Sequence, residues 1–433
     1  MLVSRGRSVL TLILCTLLHA FTHAFGSLLV PLYLLMAADL HLGNVRDAAL
    51  IVTIYGLVYN LSSYPAGMLA DRFDRKWLLA IGLFGNSLAI GAMGLSRHYP
   101  ELLVLGVVAG FFGSLFHPTA NALVPSHFPK NPGLAIGLLG IGSGIGFFVG
   151  PQFAGWRAQA AHWQFDHVAN WQRPCIELAV MGIISGIIFL LFAKETRTKA
   201  QLATEPPFDQ AHDMQSILPS RMSTEEIVMR YEPHLPGAHL PRALFWRVVG
   251  IGSVLGLRDF AGVAAMTLAS IYLQKAFLYS PKQAGLAVGL MMLLSVLASP
   301  TSVYLTGGKR RLPMLAGVLV IGGCVLACVP IWAGIGAVIT LCVFQTFQLG
   351  SYAMSDASML ERVAPEVRGR VVGVFLTIAG TFGASAPFVI AWCTDLLGPR
   401  GSEARAYAPI FFVLGGMMGI ASLATRMIGG LGR

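Results

Sequence analysis

The sequence predicts an all-α membrane protein, with twelve transmembrane helices in two six-helix pseudo-repeat bundles. Three observations carry this expectation. The 433-residue chain is 55% hydrophobic and only 12% charged, where a soluble domain carries about 25% charged residues. Twelve apolar stretches come near the length of about 20 residues that a helix needs to cross a bilayer. The second half of the chain also repeats the first at an almost constant offset.

Taken in order, the spans are expected at 9–36, 48–70, 77–95, 102–123, 133–155 and 174–193, then at 244–274, 283–306, 314–332, 335–360, 370–393 and 407–425. The first is too long for the apolar region of a cleavable signal peptide and reads as a signal anchor. Residues 194–243 form the long polar segment between the sixth and seventh spans, punctuated by Pro206, Pro207, Pro219, Pro233, Pro236 and Pro241. They read as a cytoplasmic linker, in which Ser223-Thr224-Glu225-Glu226 fits a capping box opening a short helix. The expected organisation is therefore a bundle over 1–193, a linker over 194–243 and a second bundle over 244–433.

The repeat supports that division. At an offset of 235, residues 56–82 fall on 291–317, and Pro65, Arg75, Lys76 and Gly82 meet Pro300, Arg310, Arg311 and Gly317. At an offset of 236, residues 129–151 fall on 365–387, and Pro129, Gly133, Gly137, Gly144 and Pro151 meet Pro365, Gly369, Gly373, Gly380 and Pro387. Two six-helix halves in parallel orientation follow, as in transporters built on internal repeats.

The net charge of +10 does not imply nucleic acid. With a cytoplasmic N-terminus, 21 Lys and Arg fall on the cytoplasmic side, counting Arg247 and Arg370 at the cytoplasmic ends of their spans, 8 fall on the far side and only Arg258 lies in the middle of a span. That is the positive-inside distribution. It predicts both termini in the cytoplasm of a multi-pass protein of the bacterial inner membrane. The six cysteines lie singly through the spans. Cys324 and Cys328 share a helix face without a His or carboxylate beside them, a poor metal site. No cofactor, no metal and no nucleic-acid partner are expected.

The densest charge cluster is the hairpin Gly67-Met68-Leu69-Ala70-Asp71-Arg72-Phe73-Asp74-Arg75-Lys76, set between two apolar runs. It resembles the loop between helices 2 and 3 of the major facilitator superfamily, with Asp74 in place of the usual second glycine. Twelve spans, a repeat in halves and a long central loop extend the resemblance over the whole chain. The resemblance implies a gating latch formed by Gly67, Asp71, Arg72, Arg75 and Lys76, with the charges engaging neighbouring helix ends. An acid near a helix N-terminus would be stabilised by the dipole. In the second copy Asp71 and Asp74 become Thr306 and Lys309, so only one half would need the acid.

Gly137, Gly146 and Gly150-Pro151, followed by Ala154-Gly155, resemble the fifth-helix motif of exporters and antiporters in that superfamily. Small residues there permit close helix approach, and Pro151 would kink the helix. His19 and His23 in the first span, with Gly113-Ser114-Leu115-Phe116-His117-Pro118 in the fourth, resemble the fosmidomycin-resistance-like branch of exporters.

Polar groups inside a bilayer are costly and usually face a cavity or a partner. His19 and His23 share one helix face, as do His117 and Asn121. The seventh span holds Arg258 and Asp259; adjacent residues point about 100° apart, so one can face the cavity and the other a neighbouring helix. The tenth holds Gln345, Gln348, Tyr352 and Asp356 as one stripe. By resemblance, the first, fourth, seventh and tenth helices line the central cavity. A structural ion pair for Arg258 and Asp259, and a cap for Asp356, remain open at this stage.

The expected function is secondary transport, not enzymatic catalysis. It would be proton-coupled efflux of a small drug-like or amphipathic compound by a monomer in the lipid bilayer, with Asp259 as the proton carrier. An importer of a sugar or carboxylate on the same fold is the alternative. An intramembrane metalloenzyme using His19, His23 and His117 would need dense histidines at the cytoplasmic helix ends, which the sequence lacks. A transport-dead sensor would not need the intact hairpin.

Overall fold

A computed structural model describes residues 2–129, 131–159, 169–195, 240–296, 310–364 and 367–431. These residues are almost entirely helical, with no strand among them. The helices are α1 (Leu2–Ser27), α2 (Tyr33–Asp39), α3 (Val45–Arg72), α4 (Arg75–Met93), α5 (Tyr99–Ser114), α6 (Phe116–His127), α7 (Pro132–Gln159) and α8 (Gln172–Phe192). They continue with α9 (Arg242–Phe277), α10 (Pro281–Val296), α11 (Arg311–Ala327), α12 (Ile335–Leu360), α13 (Arg368–Asp395), α14 (Ala408–Ala421) and α15 (Ala424–Gly429).

Within the described residues, every expected span falls on one of these helices or on a consecutive pair. Ten of the helical runs are long and apolar enough to cross a membrane. The other two expected spans fall on α3, diluted by Asn60, Ser62 and Ser63, and on α10, described only to Val296. The expected linker helix at 223–229 and the second-copy hairpin residues Thr306 and Lys309 lie outside the described residues.

Local chemistry explains several helix ends. Asp74 is the N-cap of α4, its side chain accepting from Trp77 N at 3.0 Å, which satisfies one of the orphan donors of a first turn. Pro100 opens α5, where the missing N–H costs nothing. Pro118 removes the donor that Ser114 O would otherwise meet, and the fourth span breaks there into α5 and α6.

Glycine decides how closely the helices cross. A Cβ on Gly142, Gly146 or Gly150 of α7 would come within 3.0 Å of the backbone of Thr16, Ala20 or Ala24 on α1. Gly155 and Gly285 play the same part where α7 crosses α10, against the backbone of Pro281 and Pro151. Gly142, not singled out from the motif, joins this packing, while among the described residues nothing lies within 4 Å of a Cβ position on Gly137. Gly146 and Gly150 pack as the motif implies.

Because each span crosses once, residues 40–44, 278–280 and 396–407 share the face opposite the N-terminus. That face is sealed between the two halves of the chain. Ser270 Oγ donates to Val30 O at 2.8 Å, and Gln274 Nε2 to Pro31 O at 3.2 Å. Asp395, at the end of α13, accepts from Val45 N at 3.2 Å and Arg46 N at 2.9 Å, capping α3, with Lys275 Nζ 4.0 Å away. Deeper in the bundle, Phe388 N donates to Thr53 Oγ1 at 3.0 Å.

Charge-assisted hydrogen bonds are worth about 1.5–3 kcal/mol each, and 1.4 kcal/mol is a factor of ten. Asp395→Ala is therefore expected to loosen the seal. A cysteine replacing Ser270, buried in the intact protein, should react at least about ten times faster with a membrane-impermeant thiol reagent. An unchanged rate would show that Asp395 is not part of the closure.

Candidate substrate and ion pathway

The structure gathers the expected pathway residues into two polar groups, one in each half of the chain. In the first, α1 and α6 bring His19, His23 and His117 together. Their ring centroids are 4.9 Å (19 to 23), 5.0 Å (19 to 117) and 5.4 Å (23 to 117) apart. His19 is buried, and its Nδ1 lies 2.8 Å from Leu139 O on α7. Its Nε2 lies 3.1 Å from His23 Nε2. Phe116 stacks on His19 at 4.8 Å, Phe147 lies 4.3 Å from His23, and Tyr59 meets His117 edge-on at 6.0 Å. Asn121, one turn beyond His117, is exposed and stands outside the cluster.

The second group is built on α9 and α12. Arg258 and Asp259 bond to each other, Nε to Oδ1 at 2.8 Å. Of the alternatives left open by the sequence, the mutual pair is the one found: a long guanidinium reaches round the helix despite the 100° between adjacent Cβ directions. Arg258 is fully buried and Asp259 is 8% exposed. The guanidinium also donates to Ser355 Oγ at 3.0 Å and Ser351 Oγ at 3.4 Å, and lies 3.7 Å from the centre of the Tyr352 ring. That is within cation–π range.

The polar stripe of α12 continues the network. Gln348 Nε2 donates to Tyr352 OH at 3.1 Å and Gln345 Nε2 to Gln348 Oε1 at 3.1 Å. Ser355 Oγ donates to Asp356 Oδ1 at 3.2 Å, so Asp356 joins the group through serine instead of capping the helix end. Ser351 and Ser355 were not singled out from sequence. Their one signal is i, i+4 spacing beside Tyr352 on the face turned to α9.

The hairpin lies at the face shared with the N-terminus. Asp71 and Arg72 are exposed in the last turn of α3, so the N-terminal dipole argument does not hold for Asp71 on its own helix. Asp74 holds the N-terminal position instead. Arg75 ties three helices together. Its Nη1 donates to Ala122 O of α6 at 3.1 Å and its Nε to Ala70 O of α3 at 3.4 Å. Glu195, just beyond α8, accepts from Arg75 N at 2.7 Å and Lys76 N at 3.1 Å. Glu195 was not expected either. A carboxylate following a helix by three residues carries no pattern that points to another helix's N-terminus.

The membrane-length helices thus carry two polar groups, one in each half of the chain, and a charged hairpin at the face shared with the N-terminus. The family model described as Major Facilitator Superfamily matches residues 12–256, more than half of the chain. The chain belongs to the Major Facilitator Superfamily.

Among curated relatives, the tetracenomycin C resistance and export protein of Streptomyces glaucescens is 29% identical over 162 residues, 37% of this chain and 29% of that protein. Multidrug resistance protein MdtG of Escherichia coli (strain 55989 / EAEC) is 33% identical over 109 residues, 25% of this chain and 26% of that protein. The matched stretches thus span about a quarter to a third of these relatives' length. Among solved structures, a bacterial homologue of the human lysosomal transporter Spinster, inward-facing and occupied, superposes with a TM-score of 0.75 at 15% identity over 96% of each chain. Nucleoside transporter NupG gives 0.70 at 13% identity, over 96% of this chain and 99% of that one. At these identities the likeness is one of fold.

Proposed function

We propose that this chain exports small amphipathic or drug-like compounds in exchange for protons, by alternating access. The observation that carries the reading is the buried Arg258–Asp259 pair in a membrane-spanning helix, since a charge at mid-membrane is rarely idle. The export and resistance functions named for two matched relatives support the direction. Residues 1–193 and 244–433 act as the two rocking bundles joined by 194–243. The branch assignment rests on His19, His23 and the Phe116-His117-Pro118 run.

The direct test is export in everted membrane vesicles, with a panel of amphipathic fluorescent compounds and an imposed proton gradient. Gradient-dependent accumulation of at least one compound is expected, and its loss when the gradient is collapsed. Accumulation in right-side-out vesicles instead would make the protein an importer.

The setting is the bacterial inner membrane with both termini cytoplasmic, on the strength of the 21-to-8 basic asymmetry. In a cysteine-free background, a membrane-impermeant reagent applied from outside should label a cysteine at Gly43 and miss one at Asn131. The reverse pattern would overturn the orientation.

The hairpin serves the cycle as a latch. Asp71→Asn is expected to insert and fold normally yet lose most of its transport rate. Full activity would leave the hairpin as a topology anchor only.

A further inference from the structure

We propose that His19, His23 and His117 form a binding site for a divalent transition-metal cation of the zinc type. The inference stands apart from the proposed direction of transport and from Asp259. Its basis is the donor set itself: three imidazoles whose ligating nitrogens all lie within 4.8 Å of one another. Zinc–nitrogen bonds of about 2.0–2.1 Å place tetrahedral donors about 3.3 Å apart. His19 Nε2 and His23 Nε2, at 3.1 Å, already have that separation. The third imidazole completes the set by a ring rotation that moves its nitrogen by roughly 1.5 Å.

The tautomer of His19 points the same way. A carbonyl oxygen only accepts, so at 2.8 Å from Leu139 O the Nδ1 atom carries the hydrogen. The Nε2 lone pair is then directed into the cluster. A histidine held through its other nitrogen by a backbone carbonyl is the usual outer-shell support of a metal ligand. His19 and His23 also stand at i, i+4, the spacing by which two histidines on one helix hold zinc.

Hydrogen bonding within the protein does not use up the cluster. Three neutral imidazoles offer three donors and three acceptors. Among the described residues they make the bond to Leu139 and the contact between His19 and His23. The Tyr59 ring meets His117 edge-on, and among the described residues its buried hydroxyl has no hydrogen-bond partner.

The chemistry selects the ion. Imidazole suits zinc, copper, nickel and iron, whereas calcium and magnesium require oxygen donors; the cluster contains no carboxylate. Phe116 and Phe147 pack on the rings. Three protein ligands leave one coordination position open, for water or for a ligand atom of a transported molecule.

The test uses the full chain, purified in detergent through an affinity tag without histidine and with its six cysteines replaced by serine or alanine. Titration with Co²⁺ should give the visible bands of a tetrahedral nitrogen-ligated ion, saturating at one per chain, and Zn²⁺ should displace it. His23→Gln and His117→Ala should each weaken binding at least tenfold. Zinc-edge X-ray absorption of the unsubstituted His site should show three imidazoles, and this arm needs no histidine variant to fold. Absence of saturable binding, affinity unchanged in both variants, or fewer than two imidazoles in the zinc shell would overturn the proposal.

Discussion

Asp259→Asn is expected to abolish accumulation against a gradient while leaving exchange down a gradient intact. The carboxylate is 8% exposed and bonded to a fully buried guanidinium. Asparagine keeps an oxygen that can accept from Arg258 Nε but cannot ionise, so it imitates the protonated carboxyl permanently. A carrier that cannot release its proton cannot couple transport to the gradient, and the accumulation ratio should fall to unity. Breaking a buried ion pair destabilises by about 3–5 kcal/mol. Here Arg258 retains Ser351, Ser355 and the Tyr352 ring, so a folded variant is expected, to be checked by size-exclusion chromatography. Asp259→Glu should keep partial activity, since the carboxyl moves by about one methylene. Uphill export by the Asn variant would move the proton site to Asp356 or to the histidine cluster.

The second large effect is on folding. Gly146→Leu should leave little monodisperse protein. The added Cβ would sit within 3.0 Å of the Ala20 backbone, and backbone, unlike a side chain, cannot rotate away. The whole of α1 must then shift, carrying His19 and His23 with it. Overpacking by single methylenes already costs about 1–3 kcal/mol, so Gly146→Ala should lower the melting temperature measurably and the larger side chain should do worse. Gly137→Ala is the internal control. No described residue lies within 4 Å of its Cβ position, and alanine favours a helix over glycine by about 0.5–1 kcal/mol. That variant should melt at or slightly above the parent. Equal stability of Gly146→Leu and the parent would refute the close crossing of α1 and α7.

Much of the site was visible before any coordinates. A histidine on an apolar helix, an Arg-Asp pair inside a span and a stripe at 345, 348, 352 and 356 stand out because a bilayer tolerates few polar groups. What stayed hidden is how these residues combine. Serine is common in membrane helices, so Ser351 and Ser355 carry no signal until a guanidinium is seen against them. The helical repeat places His19 beside His23, but nothing local connects either to His117, almost 100 residues further on.

Helix number, order and expected orientation follow from the chain alone, because the bilayer imposes a length on every apolar run and a charge bias on every connection. Helix crossings do not. Gly137 and Gly142 look alike in sequence, yet among the described residues only Gly142 meets another backbone. That depends on which face of α7 turns to α1, which is settled by packing along the whole helix. The same holds for Asp395 and Glu195: each carboxylate caps a helix far from it in sequence. Orphan N–H groups at a helix start need an acceptor, and only the tertiary arrangement decides which acid arrives.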